Sequence, residues 1–165
     1  MSLPLLPTLD ELLHPARQPE AIRQRALACT DPLDPIQLFN MTWRQPEGHV
    51  EHRVLPPALT GVPCPIVVMS GRRFPTGSHK VGPGYSCARE ALLSGQITPD
   101  GSTLVFPSTG NYGIGGAWVG PRLGFRSLVV LPEEMSAERF EKIRAYGAEI
   151  IATPGSESNV KEIYD

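Results

Sequence analysis

The stretch TLVFPSTGNYGIGGAWVG, residues 103–120, decides the fold class. It opens with a short apolar run from Thr103 to Phe106 and continues through hydroxyl-bearing residues and glycines. It ends in small and apolar residues from about Gly113 to Val119. The first run predicts a buried strand, and the second predicts a helix whose glycines allow a close backbone approach. Strand, loop and helix in direct succession indicate an α/β unit.

The same alternation of apolar runs and helical segments continues on both sides of residues 103–120. Strands that alternate with helices of about ten residues indicate βαβ units, and therefore an α/β fold with an open parallel sheet and flanking helices on both faces. We expect four short parallel strands between residues 66 and 152, and little regular β structure before residue 60. The predicted elements are strand Ile66–Met69, helix Tyr85–Ser94, strand Thr103–Phe106, helix Gly113–Val119, strand Ser127–Leu131, helix Ser136–Tyr146 and strand Glu149–Ala152.

The two ends of the sequence differ in character from this central region. Proline is abundant, with 18 residues, and clusters in the first 65 positions. This predicts a loop-rich arm over residues 1–65 that wraps around something, followed by an α/β region over residues 66–165. Prolines near His49–His52 favour a solvated loop over a metal-binding helix there. Glu157–Asp165 has the composition of a helix that has only begun, so we expect a fragment or one part of a longer polypeptide.

Composition limits the partners that this protein is expected to bind. The formal net charge is -2, from 15 basic and 17 acidic residues, and no long run of either sign occurs. We therefore expect no nucleic acid and no anionic membrane as partner. The N-terminus lacks the features of a signal peptide and no run is long enough to span a bilayer, so a soluble, cytoplasmic protein is expected. The three cysteines are widely spaced and are expected to be reduced.

The first candidate for chemistry is the lysine in Pro75-Thr76-Gly77-Ser78-His79-Lys80, between a predicted strand and a predicted helix. An ammonium group is disfavoured near the positive end of a helix, and Schiff-base chemistry needs a neutral amine. The alternative is a solvated surface lysine in a turn.

The second candidate is the loop from Pro107 to Ala117, again between a strand and a helix. Hydroxyl groups and exposed backbone N–H groups at a helix N-terminus form a site for a carboxylate or a phosphate. The glycines do not form a dinucleotide fingerprint, because Trp118 stands where the third glycine is required and no acidic residue ends the next strand.

Together these motifs resemble fold-type II enzymes that depend on pyridoxal phosphate (PLP). Thr76–Lys80 is similar to the segment around the PLP lysine in the β subunit of tryptophan synthase, where a His-Lys pair occurs. Pro75–Ser78 also resembles the cysteine synthase version, and Ser108–Gly115 looks like the cysteine synthase loop that receives the substrate carboxylate. The resemblance extends over roughly residues 66–165, through the further segments Leu131–Ser136, Glu138-Arg139, Ala145–Glu149 and Thr153–Gly155.

The resemblance implies roles for individual residues. Lys80 would form the Schiff base with PLP and later act as the base at the substrate Cα. Asn111 would hydrogen-bond the 3-oxygen of the cofactor, and His79 would lie by its phosphate unless it is a capping or packing residue. The residues implied in binding the substrate carboxylate are Ser108, Thr109, Gly110 and Tyr112.

The resemblance also implies the class of reaction, namely β-elimination or β-replacement on a small amino acid by a cysteine synthase-like lyase or transferase. A serine/threonine dehydratase-type deaminase and a catalytically inert interaction or regulatory fragment remain open alternatives. Tyr112 replaces the small hydroxyl residue usual in cysteine synthases, which puts the substrate in doubt. The family's phosphate cradle and the residue that faces the pyridine nitrogen are not found before Asp165. We therefore expect weak PLP binding by this chain alone, exposed apolar surface around Ile66–Met69, and either a homodimer or association with the missing C-terminal part.

Overall fold

The computed structural model of the protein describes residues 5–156. The helix predicted to begin at residue 157 lies outside the described residues. None of the described helices is long and apolar enough to cross a membrane. In chain order the helices are α1 (Leu9–Leu13), α2 (Glu20–Ala28), α3 (Pro57–Thr60), α4 (Val81–Leu93), α5 (Asn111–Arg122) and α6 (Ala137–Ala145). The strands are β1 (His52–Leu55), β2 (Ile66–Met69), β3 (Thr103–Pro107), β4 (Arg126–Pro132) and β5 (Glu149–Thr153).

A three-stranded parallel sheet with the order β3-β4-β5 forms the centre of the α/β region. Its register places Val105 beside Leu128 and Val130 beside Ile151. Helices α5 and α6 connect the strands in turn, as in the predicted βαβ units, so the α/β prediction is confirmed. Helix α5 covers the face of the sheet that carries Phe106. In the described part of the chain the opposite face is more open than expected, because Val105 and Ile151 are exposed there.

The prediction of four parallel strands was wrong at the first strand. Ile66–Met69 is a strand, but it pairs antiparallel with His52–Leu55, in a register that joins Leu55 to Ile66. The connection of 10 residues between the two strands holds only the short helix α3, and a parallel crossover needs a dozen or more residues. The four residues of β1 are the only strand before residue 60 in the described part of the chain, as the expectation of little β structure there implied, but β1 places His52 in a strand rather than in a loop.

The two strands β1 and β2 form an exposed ribbon. Exposure along β2 ranges from 40% at Ile66 to 58% at Val67, and Val54 on β1 is also exposed. A four-residue apolar run fits either a buried strand or an edge ribbon, and periodicity alone does not distinguish them. The expectation of exposed apolar surface at Ile66–Met69 is therefore confirmed.

Helix α5 lies unusually close to the sheet because its inner face is made of glycines. A methyl group on Gly116 would run into the ring of Phe106, and one on Gly120 would meet the hydroxyl of Ser127. Trp118, on the same helix, is fully buried in the core shared with α4. The glycines that do not fit a dinucleotide fingerprint thus serve helix packing.

The N-terminal arm contains more helix than its prolines suggest. Pro15, Pro35 and Pro57 each begin a helical segment, which is the position where the missing N–H of proline costs least. The arm does wrap around the α/β region. The Tyr85 hydroxyl donates to the Pro7 carbonyl at 2.6 Å, and the Trp118 indole N–H donates to the Pro32 carbonyl at 2.9 Å. The boundary at residue 65 stays a prediction.

Candidate active site

Lys80 lies at the N-cap of α4 with its side chain exposed. Helix α4 begins at Val81, four residues earlier than the sequence predicted. The loop before it turns at Gly77, where φ is +75°, a conformation that glycine adopts without strain. The backbone N–H of Lys80 donates to the Ser78 hydroxyl at 3.3 Å. The lysine therefore has a defined backbone position and an accessible amine.

Close packing of α4 against α5 brings the two predicted motifs together. A Cβ on Gly115 would lie 2.8 Å from the Lys80 carbonyl oxygen, and one on Gly84 would lie 3.7 Å from the Gly116 nitrogen. Gly115 comes four residues after Asn111, the first residue of α5, which is about 6 Å of helix. The Lys80 backbone therefore lies near the first turn of the helix that follows the second motif.

The loop from Ser108 to Asn111 forms a pre-shaped turn at the start of α5. The Ser108 N–H donates to the Val130 carbonyl at 3.0 Å, and the Ser108 hydroxyl accepts from the Gly110 N–H at 3.2 Å. Gly110 is the N-cap of α5 and Asn111 is exposed at its first position, while Thr109 is half-buried. The first N–H groups of a helix lack partners within it, so this turn can receive an anion.

Tyr112 is the predicted site residue that is tied most closely to the core. Its ring packs edge-on against Phe106 at 5.7 Å between centroids. Burial raises the pKa of the Tyr112 phenol above its ordinary value, so the group stays protonated at neutral pH. Tyr112 thus contributes a fixed, uncharged ring beside the loop.

His79 contacts the N-terminal arm. Its ring stacks on Trp43 at 5.5 Å, and Trp43 in turn packs edge-on against Phe74 at 4.9 Å. Trp43 therefore packs between Phe74 and the histidine that precedes Lys80. The sequence did not predict that the packing of the arm reaches the residue next to Lys80.

Two residues on α6 were missed as candidates. The Arg139 guanidinium donates to the Thr109 carbonyl, and the Lys142 ammonium donates to the Thr76 carbonyl at 3.2 Å. These partners lie 30 and 66 residues away in the sequence. No spacing pattern signals such contacts.

The described residues fit two parts of PLP and its substrate. An accessible lysine amine suits the cofactor aldehyde, and the free N–H groups and hydroxyls at the start of α5 suit a carboxylate. Within residues 5–156 we identify no separate cradle for the cofactor phosphate. The fit therefore concerns the reacting end of the cofactor and the substrate.

Comparison with known proteins supports the same cofactor class. Residues 57–164 match the family model described as pyridoxal-phosphate dependent enzyme. The chain is 48% identical over 80 residues to cystathionine beta-synthase of Saccharomyces cerevisiae, which covers 48% of this chain and 16% of the relative. It is 40% identical over 83 residues to a probable cysteine synthase of Bacillus subtilis, which covers 50% of this chain and 26% of the relative. The chain thus spans less than a third of the length of these relatives.

Solved structures are similar in fold. An O-acetylserine dependent cystathionine beta-synthase from Helicobacter pylori aligns with a TM-score of 0.62 and 27% identity, over 70% of this chain and 38% of that chain. A hydrogen sulfide-producing enzyme from Fusobacterium nucleatum aligns with a TM-score of 0.53 and 32% identity, over 59% of this chain and 32% of that chain. The family match covers more than half of the chain, and the predicted recognition is confirmed. This chain belongs to the family of pyridoxal-phosphate dependent enzymes.

Proposed function

We propose that the complete protein catalyses β-elimination or β-replacement on a small amino acid, with PLP held at Lys80. The observation that carries this proposal is the contact between the Lys80 backbone and Gly115 of α5. This contact brings a lysine with an accessible amine close to the turn that is suited to a carboxylate. The names of the similar proteins, cysteine synthase and cystathionine beta-synthase, support the same reaction class.

Each residue of the site has a distinct role in the proposal. When bound, the cofactor supplies an electron sink for the charge that develops at the substrate Cα. Lys80 Nζ holds the cofactor first and then accepts the proton from Cα. The hydroxyls of Ser108 and Thr109 and the N–H group of Tyr112 bind the substrate carboxylate, and Gly110 shapes the turn through its N–H, which donates to the Ser108 hydroxyl.

Two further residues orient the cofactor in this proposal. The Asn111 amide, exposed at the start of α5, would donate to the 3-oxygen. His79 would lie by the phosphate, and its stacking on Trp43 supports a fixed ring in that role.

The exposed ribbon β1–β2 supports an expected association. An exposed apolar patch marks a surface that packs against something else. We propose that another part of the complete protein packs against this ribbon. The complete protein is further proposed to be a cytoplasmic homodimer with a small amino acid as substrate. Light scattering of the complete protein would test the dimer.

The attachment of the cofactor tests the function directly. The complete protein is loaded with PLP, reduced with borohydride and digested, and the peptides are analysed by mass spectrometry. We expect the added mass on the peptide that contains Lys80, and no added mass in Lys80→Ala. Lys161→Ala serves as the control. Lys161 lies outside both motifs, so this variant should retain the modification on Lys80. Retention of the cofactor absorbance in Lys80→Ala would overturn the assignment.

The carboxylate loop is tested by kinetics. Ser108→Ala removes a hydrogen bond to a charged group, worth roughly 1.5–3 kcal/mol, so KM for the amino acid should rise about ten- to a hundredfold. Asn111→Ala should instead change the cofactor spectrum. An unchanged KM in Ser108→Ala would mean that the loop has a structural role only.

Product analysis with several amino acids separates β-replacement from deamination. A complete lack of turnover would favour the inert-fragment alternative.

A further inference from the structure

Helix α6 contacts both loops of the candidate site from one face. Arg139 and Lys142 are three residues apart, so their side chains are neighbours on the helix surface. Lys142 donates to the Thr76 carbonyl in the loop before Lys80, and Arg139 donates to the Thr109 carbonyl in the loop before α5. One helix thus connects two segments that come from different parts of the chain.

In each loop, the peptide group whose carbonyl accepts a hydrogen bond from α6 also donates a hydrogen bond through its N–H. The peptide between Thr76 and Gly77 accepts from Lys142 through its oxygen, and its N–H donates to the Phe74 carbonyl at 2.7 Å. The peptide between Thr109 and Gly110 accepts from Arg139, and its N–H donates to the Ser108 hydroxyl. Because a peptide is planar and rigid, bonds at both edges fix its orientation.

The two cations have no carboxylate that would compete for them among the described ion pairs. The pairs within residues 5–156 involve other arginines, and neither Arg139 nor Lys142 takes part in one. Both side chains are half-buried, so the carbonyls are their main partners. Hydrogen bonds from a charged donor are stronger than neutral ones, which makes these two contacts suited to holding a loop.

We propose that Arg139 and Lys142 are positioning residues that set the Lys80 loop and the carboxylate loop relative to each other. The inference rests on the proposed function for the identity of the two loops. Lys142 acts on the peptide four positions before Lys80, and therefore on where the amine stands. Arg139 acts on the turn that presents hydroxyls and N–H groups to the substrate carboxylate.

The test uses the complete protein and the variants Lys142→Met and Arg139→Met, which keep a long unbranched side chain without a donor. Arg144→Met is the matched control, because Arg144 is an exposed cation on the same helix whose guanidinium lies over Phe140 rather than on either loop. Amide hydrogen exchange is measured on the apoprotein, and kcat and KM are measured on the loaded enzyme.

We expect each variant to affect its own loop. In Lys142→Met, exchange of the Gly77 amide should rise about tenfold, and kcat should fall about tenfold with little change in KM. In Arg139→Met, exchange of the Gly110 amide should rise about tenfold, and KM should rise by a similar factor. Arg144→Met should match the parent in all of these measurements.

Conservative variants keep the test decisive if a methionine variant does not fold. Lys142→Arg and Arg139→Lys retain a charged donor and should keep at least part of the parent exchange rates and kinetics. The proposal is overturned if the loop amides exchange as in the parent, or if exchange rises while kcat and KM do not move. Failure of the proposed function itself would appear separately, as a lack of borohydride-trapped cofactor on Lys80 in the parent protein.

Discussion

Two short apolar runs in this chain have nearly the same composition and very different surroundings. Val129 in β4 is fully buried, between neighbouring strands and under α5, whereas Val68 in β2 is 45% exposed in a two-stranded ribbon. Local sequence does not separate the two cases, since both are β-branched runs beside loops. The difference lies in the neighbouring elements. β4 has a strand on each side and α5 on one face, whereas β2 pairs with β1 in a two-stranded ribbon. In the described residues, one face of the sheet is covered by α5, whereas the ribbon has no such cover over Val68.

The largest expected effect follows from the open ribbon and the partial site. The 165-residue chain expressed alone should bind PLP weakly, show no turnover and self-associate. The dianionic phosphate needs several preorganised donors, and the exposed apolar ribbon lacks cover. Spectral titration with PLP and gel filtration would measure both effects, and Val68→Lys should reduce the association. Tight stoichiometric PLP binding with β-elimination by this chain would contradict the prediction.

Where α5 packs on the sheet, Gly116→Ala should lower the free energy of unfolding by about 2 to 3 kcal/mol. The added methyl group meets the Phe106 ring, and helix and sheet must separate to make room. Gly82→Ala is the control, because the same change on α4 meets no atom within 4 Å. It should be neutral or stabilise by up to about 1 kcal/mol. Urea unfolding gives both values, and equal effects would show that α5 has room to move.

A matched pair of valines compares the two strands directly. Val129→Ala should cost about 2 kcal/mol, since it removes fully buried methyl groups. Val68→Ala should cost less than about 0.5 kcal/mol in this chain. In the complete protein its cost should rise toward that of Val129→Ala, provided that the ribbon is covered there. A cost that stays small in the complete protein would mean that the ribbon remains solvated.

The smallest effect concerns a contact between the arm and α4. Tyr85→Phe should lower the free energy of unfolding by about 1 kcal/mol at neutral pH, because the Pro7 carbonyl loses its donor. Burial raises the pKa of Tyr85 above its ordinary value. The unfolded chain therefore loses this proton at lower pH than the folded one, and the stability that Tyr85 provides declines as pH rises above about 10. Unfolding at neutral pH and at about pH 10.5 should show the gap between parent and variant closing, whereas a constant gap would contradict this account.

Local signals were sufficient to predict the elements from β3 to β5. Thr103–Pro107 is followed at once by a turn and by the small-residue helix α5, and Gly147 follows α6 where a terminator is expected. These features involve neighbours in the sequence, where propensity and spacing carry information. The positions of Lys80 and the Ser108 turn at the starts of helices were predictable for the same reason.

The pairing of β2 and the role of α6 could not be predicted in this way. Ile66–Met69 lacks the alternation that would mark an exposed strand, so its antiparallel partner was not evident. The contacts of Arg139 and Lys142 depend on how α6 lies over two distant loops. Such contacts arise from the tertiary arrangement, and a single sequence holds no periodic signal for them.

The two hydrogen bonds between the arm and the helices also affect how the protein folds during synthesis. The partners of Pro7 and Pro32 lie 78 and 86 residues later in the chain. At about 5 to 20 residues per second, a ribosome needs roughly 4 to 17 seconds to make that stretch. During this interval Leu12 and Leu38, which end in the core with α4 and α5, lack the surfaces of those two helices. Slower translation between residues 40 and 120 should therefore prolong the exposure of this arm.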